Sequence, residues 1–336
     1  LSENLKGLRV AKKLTQEELA EKLHVTRQAV SAWERDQTQP DLDTLERVAQ
    51  ALDTEVTALI YGPDAATEIG QLMRRCGSRL GLEAEIVSLN FARSLGRAVG
   101  RGAHLQAADG LVEELRVIKD ADEIKALERS FALNHAMLRW LEESQLQPGR
   151  SEAELAWAIE KYFRDNGASE LAFPSIVAVD QNAALPHAIP GEKKLPDNGL
   201  VLVDVGCRVD GYCSDQTRTF WVGDAPHKEF RETMKLVRDA QQAALDKMRP
   251  GLPLHEAYTL ARGVFEKAGV EAWFTHGLGH GVGLETHEAP SLGRRGDKVL
   301  QEGMVVTVEP GLYYPQWGGI RWEYTVLITA DGNRIL

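Results

Sequence analysis

The chain has 336 residues, 43% hydrophobic and 26% charged, with 30 Gly and 13 Pro. That composition excludes disordered, collagen-like and coiled-coil classes and leaves room for two or three domains. A net charge of −11 argues against a protein built mainly to coat nucleic acid.

The first sixty residues read as short helices. Thr15-Gln16-Glu17-Glu18 is a capping box that opens a helix with Leu19, Ala20 and Leu23 at helical spacing. His24-Val25 makes a turn, and Thr26 caps a second helix that turns Ala29, Val30 and Trp33 inward. Pro40 breaks the pattern, Thr44–Leu52 resumes it, and Val56–Ile60 forms a further turn before the linker Tyr61-Gly62-Pro63-Asp64. Between 65 and 118 a helix is predicted at Glu68–Arg75, a strand at Ala84–Leu89 and a helix at Phe91–Val99. From Asp122 the texture changes. Helices are expected at 122–145 and 151–166, then strands in Ser175–Val179, Leu200–Arg208 and Tyr212–Val222. Helices at 227–249 and 253–268 and strands near 282–286, 304–308 and 320–329 complete an α+β domain.

No apolar run approaches the roughly 20 residues of a membrane span, and the opening Leu1–Lys6 lacks the apolar core of a signal peptide. Cys76, Cys207 and Cys213 can make no disulfide framework and lack zinc-finger spacing, so a reduced, cytoplasmic protein is expected.

Chemistry concentrates in the second half. Asp204 ends the apolar run Leu200–Val203, where an acid is costly unless paired or metal-bound. Asp210-Gly211 is a two-residue hairpin signal. If it turns there, residue 209 faces 212 and residue 204 faces 217. Asp215 then lies two residues from the cross-strand partner of Asp204, with both carboxylates on one face. The block His276–Glu288 holds three of the nine histidines, His276, His280 and His287, among glycines that permit close backbone approach. Glu309 follows the run Val305–Val308, and Glu323 stands in Ile320-Arg321-Trp322-Glu323-Tyr324. Four carboxylates with one imidazole would repel one another without cations, and they balance two divalent ions. An oxygen-rich set suits Mn²⁺ better than a thiolate-type zinc site does.

These blocks, in this order over about residues 119–336, resemble the M24 metallopeptidases: prolidase, aminopeptidase P and methionine aminopeptidase, with their pita-bread fold. Creatinase shares that fold without the metal ligands, so their presence here argues against its activity. The resemblance implies that Asp204, Asp215, His280, Glu309 and Glu323 ligate two divalent ions (Mn²⁺ first, Zn²⁺ or Co²⁺ as alternatives), with Asp215 and Glu323 bridging. It places His187 and His287 around the scissile bond, and His276 and Arg321 near the substrate. Thr286 and Tyr324 depart from the family pattern; Tyr324 follows a ligand and is placed to tune it. The implied reaction is exopeptidase cleavage next to proline, of the Xaa-Pro dipeptidase or aminopeptidase P type. A metal-held hydroxide would attack a polarised carbonyl, with Glu309 or a nearby histidine relaying the proton. His287 would stabilise the oxyanion. The loop Ser291–Gly296 carries Arg294 and Arg295, which together with His276 and Arg321 could anchor a substrate carboxylate, unless it is simply a solvated basic loop.

Thr15–Arg35 and its flanks resemble the XRE, lambda-repressor-like helix-turn-helix family. Thr26–Arg35 is then the recognition helix, with Arg27, Gln28, Ser31 and Ala32 facing bases and Trp33 in the core. Residues 1–62 hold eight Lys/Arg and eleven Asp/Glu, a net of −3 that is poor for phosphate contact. The expected domains are therefore a helix-turn-helix module (1–62), a linker with a truncated creatinase-like remnant (63–118) and the pita-bread domain (119–336), in a homodimer. The rival reading is a DNA-binding regulator whose peptidase-like domain senses a peptide or a metal.

Overall fold

The structure is a computed structural model that describes residues 1–62, 69–70, 72–73, 79–99 and 104–336. Half of the helix expected at Glu68–Arg75, the end of the linker and Cys76 lie outside these residues. Two compact units form, Leu1–Gly110 and Leu111–Leu336. Among the described residues no helix is long and apolar enough to cross a membrane.

The first unit opens with helices α1 (Ser2–Ala11), α2 (Gln16–Leu23), α3 (Arg27–Glu34), α4 (Leu42–Ala51) and α5 (Val56–Tyr61). Thr15 and Glu18 close the expected capping box, Thr26 caps α3, and Asp41 caps α4. Leu5, Leu19, Leu23, Val30, Trp33, Val48 and Leu59 make one core. Glu34 ties the end of α3 to α1. It accepts from Arg9 Nε at 2.5 Å, Arg9 Nη2 at 2.9 Å and Gln16 at 2.8 Å, and its carboxyl stays below the usual range because these bonds outweigh its burial. Beyond them, β1 (Arg79–Leu82) pairs in parallel with β2 (His104–Ala107), and α6 (Leu89–Val99) turns Leu95 and Val99 toward Leu80 and Leu105. The strand expected at Ala84–Leu89 is not one: it lies earlier, and residues 84–86 turn, leaving Ile86 exposed. Leu80 and Leu82 supply the core-facing alternation that Ile86 and Val87, adjacent in sequence, cannot.

The second unit starts with α7 (Leu111–Arg116) and the long α8 (Ala121–Trp140), which runs into one π-helical turn at Leu141–Gln145. After α9 (Glu152–Asp165) come β3 (Glu170–Leu171), β4 (Ile176–Val179), β5 (Gly199–Val205), β6 (Cys207–Val209), β7 (Tyr212–Cys213) and β8 (Gln216–Val222). Helices α10 (Lys228–Leu245) and α11 (Leu254–Lys267) follow. Last come β9 (Gly279–Gly281), β10 (Glu288–Leu292), β11 (Val305–Val308), β12 (Gly311–Tyr314), β13 (Gly318–Arg321), β14 (Tyr324–Ile328) and β15 (Asn333–Ile335). Strands β4, β5 and β8 make one antiparallel sheet, and β10, β9, β11, β14 and β15 make another in that order. The strand expected at 282–286 is instead a bent loop between β9 and β10, since Gly281 and Glu288 pair and residues 283–287 between them bend.

Burial on both faces explains the apolar reading of β5. Val201, Val203 and Val205 pack with Leu138, Ile159 and Phe163 of α8 and α9. Leu200 and Leu202 face the other way, toward Val237 and Ala240 of α10. Asp204 continues that second series, so an acid ends a core-facing row. Glu152, almost wholly buried, accepts from Val179 N at 2.7 Å, Asn182 Nδ2 at 2.8 Å and Gly191 N at 3.0 Å, and thereby ties the start of α9 to the end of β4 and the segment that follows it.

Candidate active site

The hairpin has the register its turn demands. Asp210 and Gly211 both take positive φ, 51° and 84°, as a type I′ turn requires. Val209 faces Tyr212, and Asp204 faces Thr217. Asp204, Asp215 and Glu323, the last standing between β13 and β14, bring carboxylate oxygens within 4.8 Å of one another. His280 on β9 joins them: its Nε2 lies 3.5 Å from Asp215 Oδ2 and 3.3 Å from Glu309 Oε1. Glycine makes that strand possible. A Cβ at Gly279 would stand 2.0 Å from Thr307 O, and one at Gly281 would stand 2.2 Å from Ala289 O.

All five expected ligands therefore meet, and four of them (Asp204, Asp215, His280 and Glu309) line a cavity of about 530 Å³ that His187, His276, His287 and Arg321 also line. His287 stacks near His280, ring centroids 4.0 Å apart, and both His187 and His287 are exposed at the mouth. Phe173, Ile176, Pro186 and Ile189 give one wall an apolar lining. Arg294 and Arg295 do not line it: Arg294 Nε donates to Tyr258 Oη at 3.0 Å on α11, and Arg295 is exposed.

The electrostatics follow from packing. Burial and then the neighbouring acids push Asp215 well above the carboxylate range and push Glu323 up to about 8. Burial would raise Glu309 too, but His280, His276 and Arg321 hold it down at about 2. Burial alone would lower His280, and its bond to Glu309 lifts it instead to about 9. Arg321, almost wholly buried, donates from Nη2 to Asp204 Oδ2 at 2.7 Å and from Nε to Thr217 Oγ1 at 2.9 Å.

Three residues that the sequence reading passed over complete the arrangement. Thr217 Oγ1 donates to Glu323 Oε2 at 2.9 Å, and Thr307 Oγ1 donates to Glu309 Oε1 at 3.1 Å. Both stand two residues from an acid at an alternate strand position, a signal that was available in the sequence. Tyr313 carries no such signal. Its Oη accepts from Arg321 Nη1 at 2.8 Å and donates to His276 Nε2 at 2.8 Å, while His276 Nδ1 donates to Gly277 O at 2.7 Å. His280 Nδ1 likewise donates to Gly281 O at 3.0 Å, which leaves Nε2 for the acid cluster.

Asp204 Oδ1 and Glu323 Oε1 are buried with no hydrogen-bond partner among the described residues. Unpaired buried carboxylate oxygens beside mutually repelling acids fit divalent cations, which would satisfy both. This donor set, built on this sheet arrangement, is that of a metal-dependent hydrolase. The chain belongs to metallopeptidase family M24, whose family model matches residues 125–330. A helix-turn-helix family model matches residues 5–59. The Xaa-Pro dipeptidase of Pyrococcus furiosus is 39% identical over 229 residues, which are 68% of this chain and 65% of that relative. This chain thus spans slightly under two thirds of that protein's length. Among solved structures, an Xaa-Pro dipeptidase from Bacillus anthracis superposes with a TM-score of 0.78 at 29% identity, covering 99% of this chain and 96% of that one. An X-Pro aminopeptidase from Thermotoga maritima gives 0.75 at 32% identity, covering 82% and 77%. The expected pita-bread fold and helix-turn-helix module are therefore both present.

Proposed function

We propose that this chain is an exopeptidase that uses two divalent cations, Mn²⁺ foremost, to cleave peptide bonds next to proline. The observation that carries the reading is the convergence of Asp204, Asp215, Glu309 and Glu323 on His280, with two buried oxygens left without partners. The names of the relatives supply the substrate class. In this reading those five side chains hold the ions, which when bound acidify a water and polarise the carbonyl under attack. The remaining chemistry belongs to the chain. Phe173, Ile176, Pro186 and Ile189 shelter a prolyl ring, whose tertiary amide offers no N–H for recognition. Glu309 holds the transferred proton on a carboxylate oxygen and hands it to the departing prolyl nitrogen, which must leave protonated. His287 donates to the oxygen that gains charge, and His187 steadies the substrate from the other lip. Tyr313 and His276 fix Arg321 against Asp204.

Activity on a panel of Xaa-Pro dipeptides, Xaa-Pro-Yaa tripeptides and N-blocked peptides tests the substrate class; hydrolysis of none of them would overturn the reading. His287→Ala should lower kcat by about 10²–10³ with little change in KM, as loss of an oxyanion donor does. A rise in KM alone would remove His287 from that role.

We further propose that residues 1–62 act as a helix-turn-helix module pairing two chains and presenting α3 to DNA, that residues 63–118 are a remnant of a longer N-terminal domain, and that catalysis resides in 119–336. Arg27 and Gln28 are exposed on α3, Ser31 and Ala32 are half-buried, and Trp33 is core. Affinity for a selected duplex should fall at least about tenfold between 50 and 200 mM salt. Gln28→Ala should relax sequence preference more than it weakens nonspecific binding. A full-length chain that light scattering finds monomeric at micromolar concentration refutes the pairing.

A further inference from the structure

Strand β8 serves two sites. Asp215, just before it, and Thr217 belong to the acidic cluster, whereas the stretch Arg218–Val222 lines a separate cleft of about 570 Å³ that shares no lining residue with the acidic cavity. The two sites share a wall. Arg218 Nη1 donates to Thr217 O at 2.8 Å and to Glu323 O, and Thr219 Oγ1 donates to Arg321 O at 3.0 Å.

The cleft is rich in donors and positive charge. Arg139 and Arg218 line it. Arg218 lies 4.8 Å from the Trp322 ring centroid and 5.0 Å from that of Tyr324; Arg238, behind the lining, lies 4.5 Å and 6.0 Å from the same two rings. None of these arginines makes an ion pair among the described residues, and Glu142 is the only acid on the lining. Two further donors, the indole N–H groups of the lining residues Trp221 and Trp322, are buried without an acceptor among the described residues. Unanswered donors of this kind call for a ligand with acceptors and negative charge. The rest of the lining, with Leu138, Leu146, Phe230 and Met234, is apolar, and the volume lies in the range of small-molecule pockets.

We propose that this cleft is a second ligand site, for a small molecule that joins a carboxylate to an apolar body. The carboxylate sits among Arg139, Arg218 and the indole N–H groups, and the body packs on the leucines and aromatic rings. Inorganic phosphate has the charge but nothing to cover the apolar wall, so it binds poorly.

The test titrates 3-phenylpropionate, 3-phenylpropionamide and inorganic phosphate into the full chain, chelated so that no probe can ligate a metal. Calorimetry and tryptophan fluorescence report binding. The carboxylate should saturate one site with a Kd of about 1 mM or tighter, and the amide and phosphate should bind at least about tenfold more weakly. Arg218→Gln should cost at least about tenfold, and Arg139→Gln, at an exposed position that folding tolerates, at least about threefold. His287→Ala, in the other cavity, should change nothing. Equal binding of acid and amide, phosphate as tight as phenylpropionate, indifference to Arg139→Gln, or loss of binding in His287→Ala would each overturn the proposal. Should Arg218→Gln fail to fold, Arg139→Gln decides.

Discussion

Glu323→Gln is expected to lower kcat/KM on an Xaa-Pro dipeptide by at least about a thousandfold, roughly 4 kcal/mol of transition-state stabilisation. The amide keeps the shape and can still accept from Thr217 Oγ1, so the fold survives. What it removes is a negative charge from a position almost wholly buried and beside two other acids. In the proposed two-metal site, where four carboxylates would balance two divalent cations, the variant should lose affinity for one of them and with it the Lewis acidity that the ions would supply. Asp215→Asn should behave alike. Chelation should abolish wild-type activity, with Mn²⁺, Co²⁺ or Zn²⁺ restoring it. A well-folded Glu323→Gln protein with full activity and full metal content would end the two-metal account.

The second large effect is on stability and has opposite signs with and without metal. In the metal-free chain Glu323 is raised to about 8 and Asp215 is raised as well, so folding is favoured while both stay protonated. That stability is complete below the ordinary carboxylate pKa of about 4.5 and is lost as pH climbs through about 8. Protonated His280 adds to the trend, since its contribution is whole below about 6.5 and fades by about 9. Glu309 works the other way: held at about 2, it contributes above about 4.5 and loses its contribution only in strong acid. Between pH 6 and 8 the metal-free chain should therefore weaken. Mn²⁺ binds the deprotonated acids and should stabilise the chain more at pH 8 than at pH 6. At a hundred times its Kd the gain is about 2.7 kcal/mol, or roughly 5–10 °C in the melting transition of the second unit. Glu323→Gln should raise the metal-free melting temperature at pH 8 and abolish most of the Mn²⁺ response. Scanning calorimetry at both pH values reads all of this. A metal-free wild type that is more stable at pH 8 than at pH 6, or a variant less stable than wild type without metal, would refute the repelling-acid description.

Much of this was legible in the residues themselves. The Thr15–Glu18 box, the Thr26 cap and the Asp210-Gly211 turn are local devices whose donors and acceptors lie a few residues apart, and each formed where expected. The turn then set the register down to Asp204 opposite Thr217, because a hairpin has no freedom to slip once its two central residues are placed. The acids announced themselves for a related reason: a carboxylate at the end of an apolar run has no cheap explanation. Local signals failed where the pattern was short. Ile86-Val87 read as part of a strand and is a turn, and the residues around Gly283 read as a strand and bend.

Sequence alone thus determined which residues converge on the candidate site, since spacing, turn residues and misplaced charges are written along the chain. Tertiary structure decided how those residues are paired and which of them are free. Arg321 meets Asp204 across 117 residues, and Tyr313 joins Arg321 to His276 only because β12 and β13 pair beside the cluster. Arg294 stands near the site in sequence yet turns to Tyr258, which α11 brings within reach. Arg218 looked like any strand arginine until packing set it, half-buried, against two aromatic rings and the carbonyl of Glu323. Contacts of this kind depend on which faces of distant elements are pressed together. Burial of the two cores decides that, and no local pattern encodes it.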